Sequence, residues 1–211
     1  MSKIRAKKQI VVYTDGSCSK NGKYGAIGGI GIHFPNEELE DISKVFRLGC
    51  CTNQRTELYA ILTALRYVHQ NFDLKKYQIH IKTDSRYSID SITKWVKGWI
   101  KNGWKTKNNT PVANRELIET IYKYYQKYDV KLSHVSAHTG YNDPDSLGNA
   151  EADRLATKAT KRAMKELQKN IMSKNSHKIK NNYHNTKKYI FNSNEIPKDG
   201  CYEIELVRNK N

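Results

Sequence analysis

Four short stretches of the 211-residue chain each carry a carboxylate where chemistry could use one. They are Tyr13-Thr14-Asp15-Gly16-Ser17, Thr52-Asn53-Gln54-Arg55-Thr56-Glu57-Leu58, Lys82-Thr83-Asp84-Ser85 and Gly148-Asn149-Ala150-Glu151-Ala152-Asp153. Asp15 and Asp84 close apolar, β-branched runs; Glu57 and Asp153 fall in the first turns of expected helices. Acidic side chains are seldom buried unless they are paired or hold a metal. Hard divalent cations take carboxylate oxygens and water. Phosphodiester hydrolysis can use two such ions about 3.5–4 Å apart. Four acids drawn together without a cation would repel, and at least one would take up a proton. Any one of them alone reads as a helix cap or a surface acid; the set reads as a metal site.

The surroundings are basic. Lys and Arg number 37 against 21 Asp and Glu, a formal charge of +16. A cationic surface of that size favours a polyanion, either nucleic acid or an acidic membrane face. The plainer alternative is a solvated lysine-rich surface from biased coding, since Lys, Asn, Ile and Tyr are all abundant. Hydrophobic residues make up 37%, low for a fully packed chain, so part of it is expected to lie outside the core. No apolar run approaches the ~20 residues of a membrane span. The basic start, Met1 to Lys8, lacks an apolar h-region, so no secretory signal is expected. Cys18, Cys50, Cys51 and Cys201 show no CxxC pair or zinc-like spacing. Reduced thiols and an intracellular location, cytoplasmic or nuclear, are the expectation.

The acids must be placed by secondary structure. Alternating residues predict strands over 9–18, 24–34, 39–48, 77–84 and 130–136. Leu58, Ile61, Leu62, Leu65 and Val68 recur at helical spacing behind a cap at Thr52 or Asn53. Further helices are expected over 86–96, 114–127 and from 149 to at least 163, with 97–112 irregular and basic. The order β-β-β-α-β-α-α-β-α implies a mixed sheet flanked by helices: three antiparallel strands, then parallel additions through right-handed crossovers.

Tyr-Thr-Asp-Gly-Ser, Thr-Asn-Gln-Arg-Thr-Glu-Leu, Thr-Asp-Ser, the His-x3-His of His134 and His138, and the Asn-x-Glu-Ala-Asp ending at Asp153 occur in that order. In combination they resemble type-1 ribonuclease H over about residues 9–163. The resemblance implies an α/β ribonuclease H-like fold with a five-stranded mixed sheet. It implies metal-site acids at Asp15, Glu57, Asp84 and Asp153, holding two Mg2+ ions with Mn2+ able to substitute. The implied reaction is cleavage of the RNA strand of an RNA/DNA hybrid, leaving 5′-phosphate and 3′-hydroxyl ends. His138 matches a mobile histidine that assists water activation or product release; His134 is expected to pack or hydrogen-bond. The chain departs from the family in His-Val-Ser-Ala-His, without the usual residues before the second histidine, and in a longer loop from Thr139 to Gly148.

The same resemblance distributes the substrate contacts. Asn21, Asn53 and Gln54 match positions that touch the RNA strand, and short amides can both donate to and accept from a 2′-hydroxyl. Thr52 and Asn114 match a pocket for a DNA phosphate, with a helix N-cap as the plainer role for Asn114. Tyr87, Trp95 and Trp99 match the DNA channel, with Trp104 mostly structural. Lys94, Lys97, Lys101, Lys105 and Lys107 form the basic protrusion. Aromatic planes among cations suit a nucleic-acid backbone. The expected organisation is a short basic start (1–8), a catalytic domain (9–165) and a basic, largely flexible extension (166–211). That extension has one more candidate strand near 201–207 and is expected to stand in partly for a separate hybrid-binding module. A monomer with no protein or membrane partner is expected. The alternatives are a hybrid-binding protein without catalysis, or another nuclease or recombinase of the same fold.

Overall fold

The computed structural model describes residues 7–137 and 140–182. Strand β1 (Lys8–Ser19) is the organising element. Its Ile10 and Val12 are buried against one side of the sheet, while Val11 and Tyr13 pack with Val135 and Ala152 on the other. Strands β2 (Ile27–His33), β3 (Ile42–Val45), β4 (Tyr77–Thr83) and β5 (Val130–His134) complete a five-stranded sheet of order β3-β2-β1-β4-β5. β1–β2 and β2–β3 are antiparallel, and β1–β4 and β4–β5 parallel. This is the mixed sheet that the sequence predicts.

Helix α1 (Asn53–Asn71) buries Leu58, Ile61, Leu62, Leu65 and Val68, the stripe its periodicity predicts. A short helix α2 (Arg86–Asp90) runs through a π-helical turn (Ser91–Trp95) into α3 (Val96–Lys101). The stretch expected to be irregular from residue 97 is therefore helical as far as Lys101, held by fully buried Val96. Helix α4 (Arg115–Lys127) buries Leu117, Ile118 and Ile121.

Two expected boundaries moved for identifiable reasons. β3 begins only at Ile42, because Asp41 turns back to accept the Phe34 amide at 2.8 Å. Helix α5 runs Pro144–Asn182, starting five residues before the expected 149 and continuing through 166–182, which the sequence assigns to the basic, largely flexible extension. Asp143 starts it early: its Oδ1 accepts the amides of Asp145 (3.0 Å) and Ser146 (3.1 Å). Pro144 then fills the first helical position, where its missing N–H costs nothing. The candidate strand near 201–207 lies outside the described residues. Cys18 and Cys51 are free as expected, whereas Cys50 is disulfide-bonded. Adjacency rules out only a bridge between Cys50 and Cys51. No helix among the described residues is long and apolar enough to cross a membrane.

Glycine fixes how closely the helices reach the sheet. A Cβ on Gly31 of β2 would run into the Ala152 carbonyl of α5, and one on Gly29 would meet Ala159 and the Thr160 amide. A Cβ on Gly16 of β1 would strike the backbone of Thr56 and Glu57 in the first turn of α1. Bare backbone at these points lets both helices touch the strands. Gly31→Ala is expected to destabilise the fold by at least ~1–3 kcal/mol through overpacking. Gly98→Ala, in open space on α3, is expected to stabilise by up to ~1 kcal/mol. Chemical denaturation of the two variants checks the contrast.

Candidate active site

β1 is paired with β4 only from Lys8 to Tyr13, and then only with β2. Asp15 lies just beyond the point where β4 departs, and Asp84 directly follows the end of β4. Where parallel neighbours part at their carboxyl ends, a crevice opens. Thr52 caps α1 by accepting the Arg55 amide at 3.2 Å, so the helix starts beside that crevice and Glu57 enters it within the first two turns.

The structure brings Asp15, Glu57 and Asp84 together: one oxygen of each lies within 4.8 Å of the others. Asp15 is buried and the other two are half-buried. Glu57 Oε2 is nonetheless sealed from solvent with no hydrogen-bond partner, and so is Asn149 Oδ1. Asp153, half-buried on α5, stands outside this triplet, although its charge reaches Asp15. Burial, then the charges of Asp84 and Asp153, push the Asp15 carboxyl up to about 7, with the Glu57 contact and the Gly16 amide acting against them. Burial and the charges of Asp15 and Asp84 likewise raise Glu57 well above the carboxylate range. All-oxygen donors, an orphaned carboxylate oxygen and unrelieved mutual repulsion fit a hard divalent cation.

The remaining expected residues spread over one surface. The Asn21 side chain accepts the Asn53 amide at 2.9 Å, and Asn53 and Gln54 are exposed. Thr52, rather than Asn53, makes the side-chain cap. Asn114 stands at the start of α4 but does not cap it: its backbone is left-handed (φ 58°) and its side chain points elsewhere. Its Oδ1 accepts from Arg55 Nη1 (3.2 Å) and its Nδ2 donates to the Tyr87 hydroxyl (3.2 Å). Tyr87, Trp95, Trp99 and Trp104 form a ladder with centroid spacings of 6.1, 5.7 and 6.5 Å. Trp104 is buried beneath the Arg115 guanidinium, whereas Trp95 is 41% exposed. Lys97, Lys101, Lys105 and Lys107 are exposed around them, and Lys94 is exposed but paired with Asp90 at 2.7 Å. His134 ends β5 half-buried, and His138 lies outside the described residues.

Two residues escaped the sequence reading although both sit inside its motifs. Arg55 bridges the two halves of the surface, contacting Asn114, pairing with Glu116 and donating from Nε to the Leu48 carbonyl at 3.1 Å. Asn149, 3% exposed, donates to Asp84 Oδ2 at 3.3 Å. An arginine beside a helix cap and an asparagine inside a helix carry no local signal for such contacts.

A sequence model of the RNase H family matches residues 7–161, and so spans the whole crevice and its surface. The chain belongs to the RNase H family. A probable ribonuclease H of Acanthamoeba polyphaga mimivirus is 48% identical over 205 residues, covering 90% of this chain and 89% of that one. Human ribonuclease H1 is 39% identical over 157 residues, which is 73% of this chain and 51% of the human one. Among solved structures, LC9-RNase H1, a type 1 RNase H, superposes with a TM-score of 0.57 at 25% identity, covering 75% of each chain. The PFV RNase H domain gives 0.56 at 26% identity over 74% of this chain and 96% of that one. Family membership makes this RNase H a hydrolase of the nuclease class.

The buried acids tie stability to pH in a definite direction. A carboxyl with a higher pKa folded than unfolded binds protons more readily when folded. The stability Asp15 lends is therefore complete below its ordinary value of 3.8 and is lost as pH climbs to about 7. In chelator, the wild type should lose on the order of 1–4 kcal/mol between pH 4 and 7.5. Asp15→Asn should flatten that loss. Urea denaturation across pH checks it, and equal slopes in the two proteins would contradict the cause given.

Proposed function

We propose that the chain hydrolyses the RNA strand of RNA/DNA hybrids, leaving 5′-phosphate and 3′-hydroxyl ends. The observation that carries this reading is the convergence of Asp15, Glu57 and Asp84 beside a surface with amides at one end and an aromatic–lysine ladder at the other. Asp15, Glu57, Asp84 and Asp153 would hold two magnesium ions. Such a pair supplies activation of the attacking water and stabilisation of the leaving oxygen.

The protein's own groups supply placement and discrimination. Asn53 and Gln54, projecting from the first turn of α1, are placed to donate to and accept from ribose 2′-hydroxyls. Asn21 fixes the start of that turn through the Asn53 amide, and the positive end of the helix dipole there favours a backbone phosphate. On the other side, Tyr87, Trp95 and Trp99 offer flat faces to deoxyribose and base, and Thr52, Arg55 and Asn114 surround a phosphate position. The exposed lysines of the protrusion add counterion release. The lysine-rich stretch beyond residue 165 extends that attraction, and residues 9–165 form the catalytic unit. His138 is assigned proton transfer or product release by its motif alone.

Strand-labelled hybrid, duplex DNA and duplex RNA, each with and without Mg2+, test the reading. Cleavage confined to the RNA strand of the hybrid, and only with Mg2+, is expected. Duplex DNA cut as fast as hybrid would overturn it. Asp15→Asn should reduce hybrid cleavage by more than ~100-fold, beyond the range seen for outer-shell partners of metal sites, while hybrid binding survives. Trp95→Ala should weaken hybrid binding by ~1–3 kcal/mol, the usual worth of one stacked ring, with kcat nearly unchanged. Band-shift titration beside steady-state kinetics separates these two effects.

A further inference from the structure

Helix α5 meets the sheet mainly through small residues. Ala152, Ala156, Ala159 and Ala163 are buried along it, and Gly29 and Gly31 lie beneath. Such a stripe sets closeness but not register, because sliding by one turn, about 5.4 Å, would place alanine where alanine was. A directional contact has to choose between the registers.

The described residues hold a fitting contact at the start of the helix. Tyr13 and Lys82 are neighbours in the β1–β4 ladder, each two residues before a site acid, and Tyr13 shares its face of β1 with Asp15. The Tyr13 hydroxyl, on a ring only 2% exposed, donates to Asp145 Oδ1 at 2.8 Å. The Lys82 ammonium pairs with the same carboxylate and lies over the Tyr13 ring, 5.4 Å from its centroid. Asp145 is in the first turn of α5. Asp145, Asn149 and Asp153 recur every fourth residue and so share one face of the helix. Along that face Asp145 meets Tyr13 and Lys82, Asn149 meets Asp84, and Asp153 acts on Asp15.

We propose that Tyr13, Lys82 and Asp145 form a latch that fixes the register of α5 and thereby sets Asn149 and Asp153 against the metal-site acids. They are positioning residues for the site, and the inference rests on the reading of that site given above. The latch is charge-balanced, with Tyr13 buried, Lys82 mostly covered and Asp145 half-exposed at its rim: Lys82 holds the Asp145 carboxyl below its usual range, while burial and Asp145 push the Tyr13 hydroxyl up. Ordinary working pH leaves it intact.

The test uses the full chain with Lys82→Met, Asp145→Asn, the double variant, Tyr13→Phe and Lys82→Arg. Two readouts are needed: Mg2+ affinity by calorimetry without nucleic acid, and the Mg2+ concentration for half-maximal hybrid cleavage. Each of the first two variants should weaken Mg2+ by about tenfold, the lower end for outer-shell partners of a metal site. The double variant should be no worse than the poorer single one, and Lys82→Arg should keep most of the wild-type affinity. Tyr13→Phe, which keeps the packing, should move Mg2+ affinity in the same direction. KM for hybrid at saturating Mg2+ should not change. A lowered melting temperature with Mg2+ affinity within twofold of wild type would make the cluster merely structural and overturn the latch. Failure of the wild type to cut hybrid would instead remove the functional reading, with calorimetry still deciding the latch.

Discussion

Like charges crowded into a partly buried crevice dominate this molecule. Three carboxylates approach within 4.8 Å of one another, one of them on a buried residue, and the charge of a fourth acts on Asp15 from nearby. Burial and repulsion both favour protonation, so the arrangement exists only because stiff elements impose it. Strand β1 and the end of β4 fix Asp15 and Asp84 through the sheet. Bare backbone at Gly16 and Gly31 lets α1 and α5 come close enough to bring Glu57 and Asp153. The fold holds in place an electrostatic conflict that a divalent cation would relieve.

The same few elements carry the surface proposed to recognise the duplex. The first two turns of α1 supply the acid Glu57 and the exposed amides of Asn53 and Gln54, so a bound metal and a bound ribose would be referenced to one rigid helix start. Arg55, one residue further on, ties that turn to Asn114 and through it to Tyr87. From Tyr87 the aromatic ladder continues to Trp99 and into the core at Trp104. The two strands of a bound duplex would therefore be gripped by surfaces mechanically joined through one arginine–asparagine contact. Sites on such supports keep their geometry better than sites on loops.

Much of this was legible in the sequence. The strands alternate, α1 shows a clean apolar stripe, and each acid sits in a distinctive local context, so fold and family could be read together. What escaped has two physical causes, one local and one tertiary. The cap by Asp143 and Pro144 was a readable helix start, but the nearby glycines made the region resemble a loop. Asn114 carries a good capping side chain and spends it on Arg55 and Tyr87, a choice only tertiary contact can make. Lys82 lies in a strand pattern where a polar residue reads as solvent-facing, yet α5 covers it and supplies Asp145. Long-range polar pairing leaves no periodic trace.

The most direct measurement is carbon NMR of the Asp and Glu side-chain carboxyls at pH 7, followed through a Mg2+ titration. Without metal, Asp15 should be only partly ionised at this pH, and Glu57 should hold its proton more tightly than an ordinary carboxyl; both should release protons as Mg2+ saturates, with the Asp84 signal moving in the same titration. Carboxyls that are fully ionised at pH 7 without metal, and that stay unmoved when Mg2+ is added, would contradict the account.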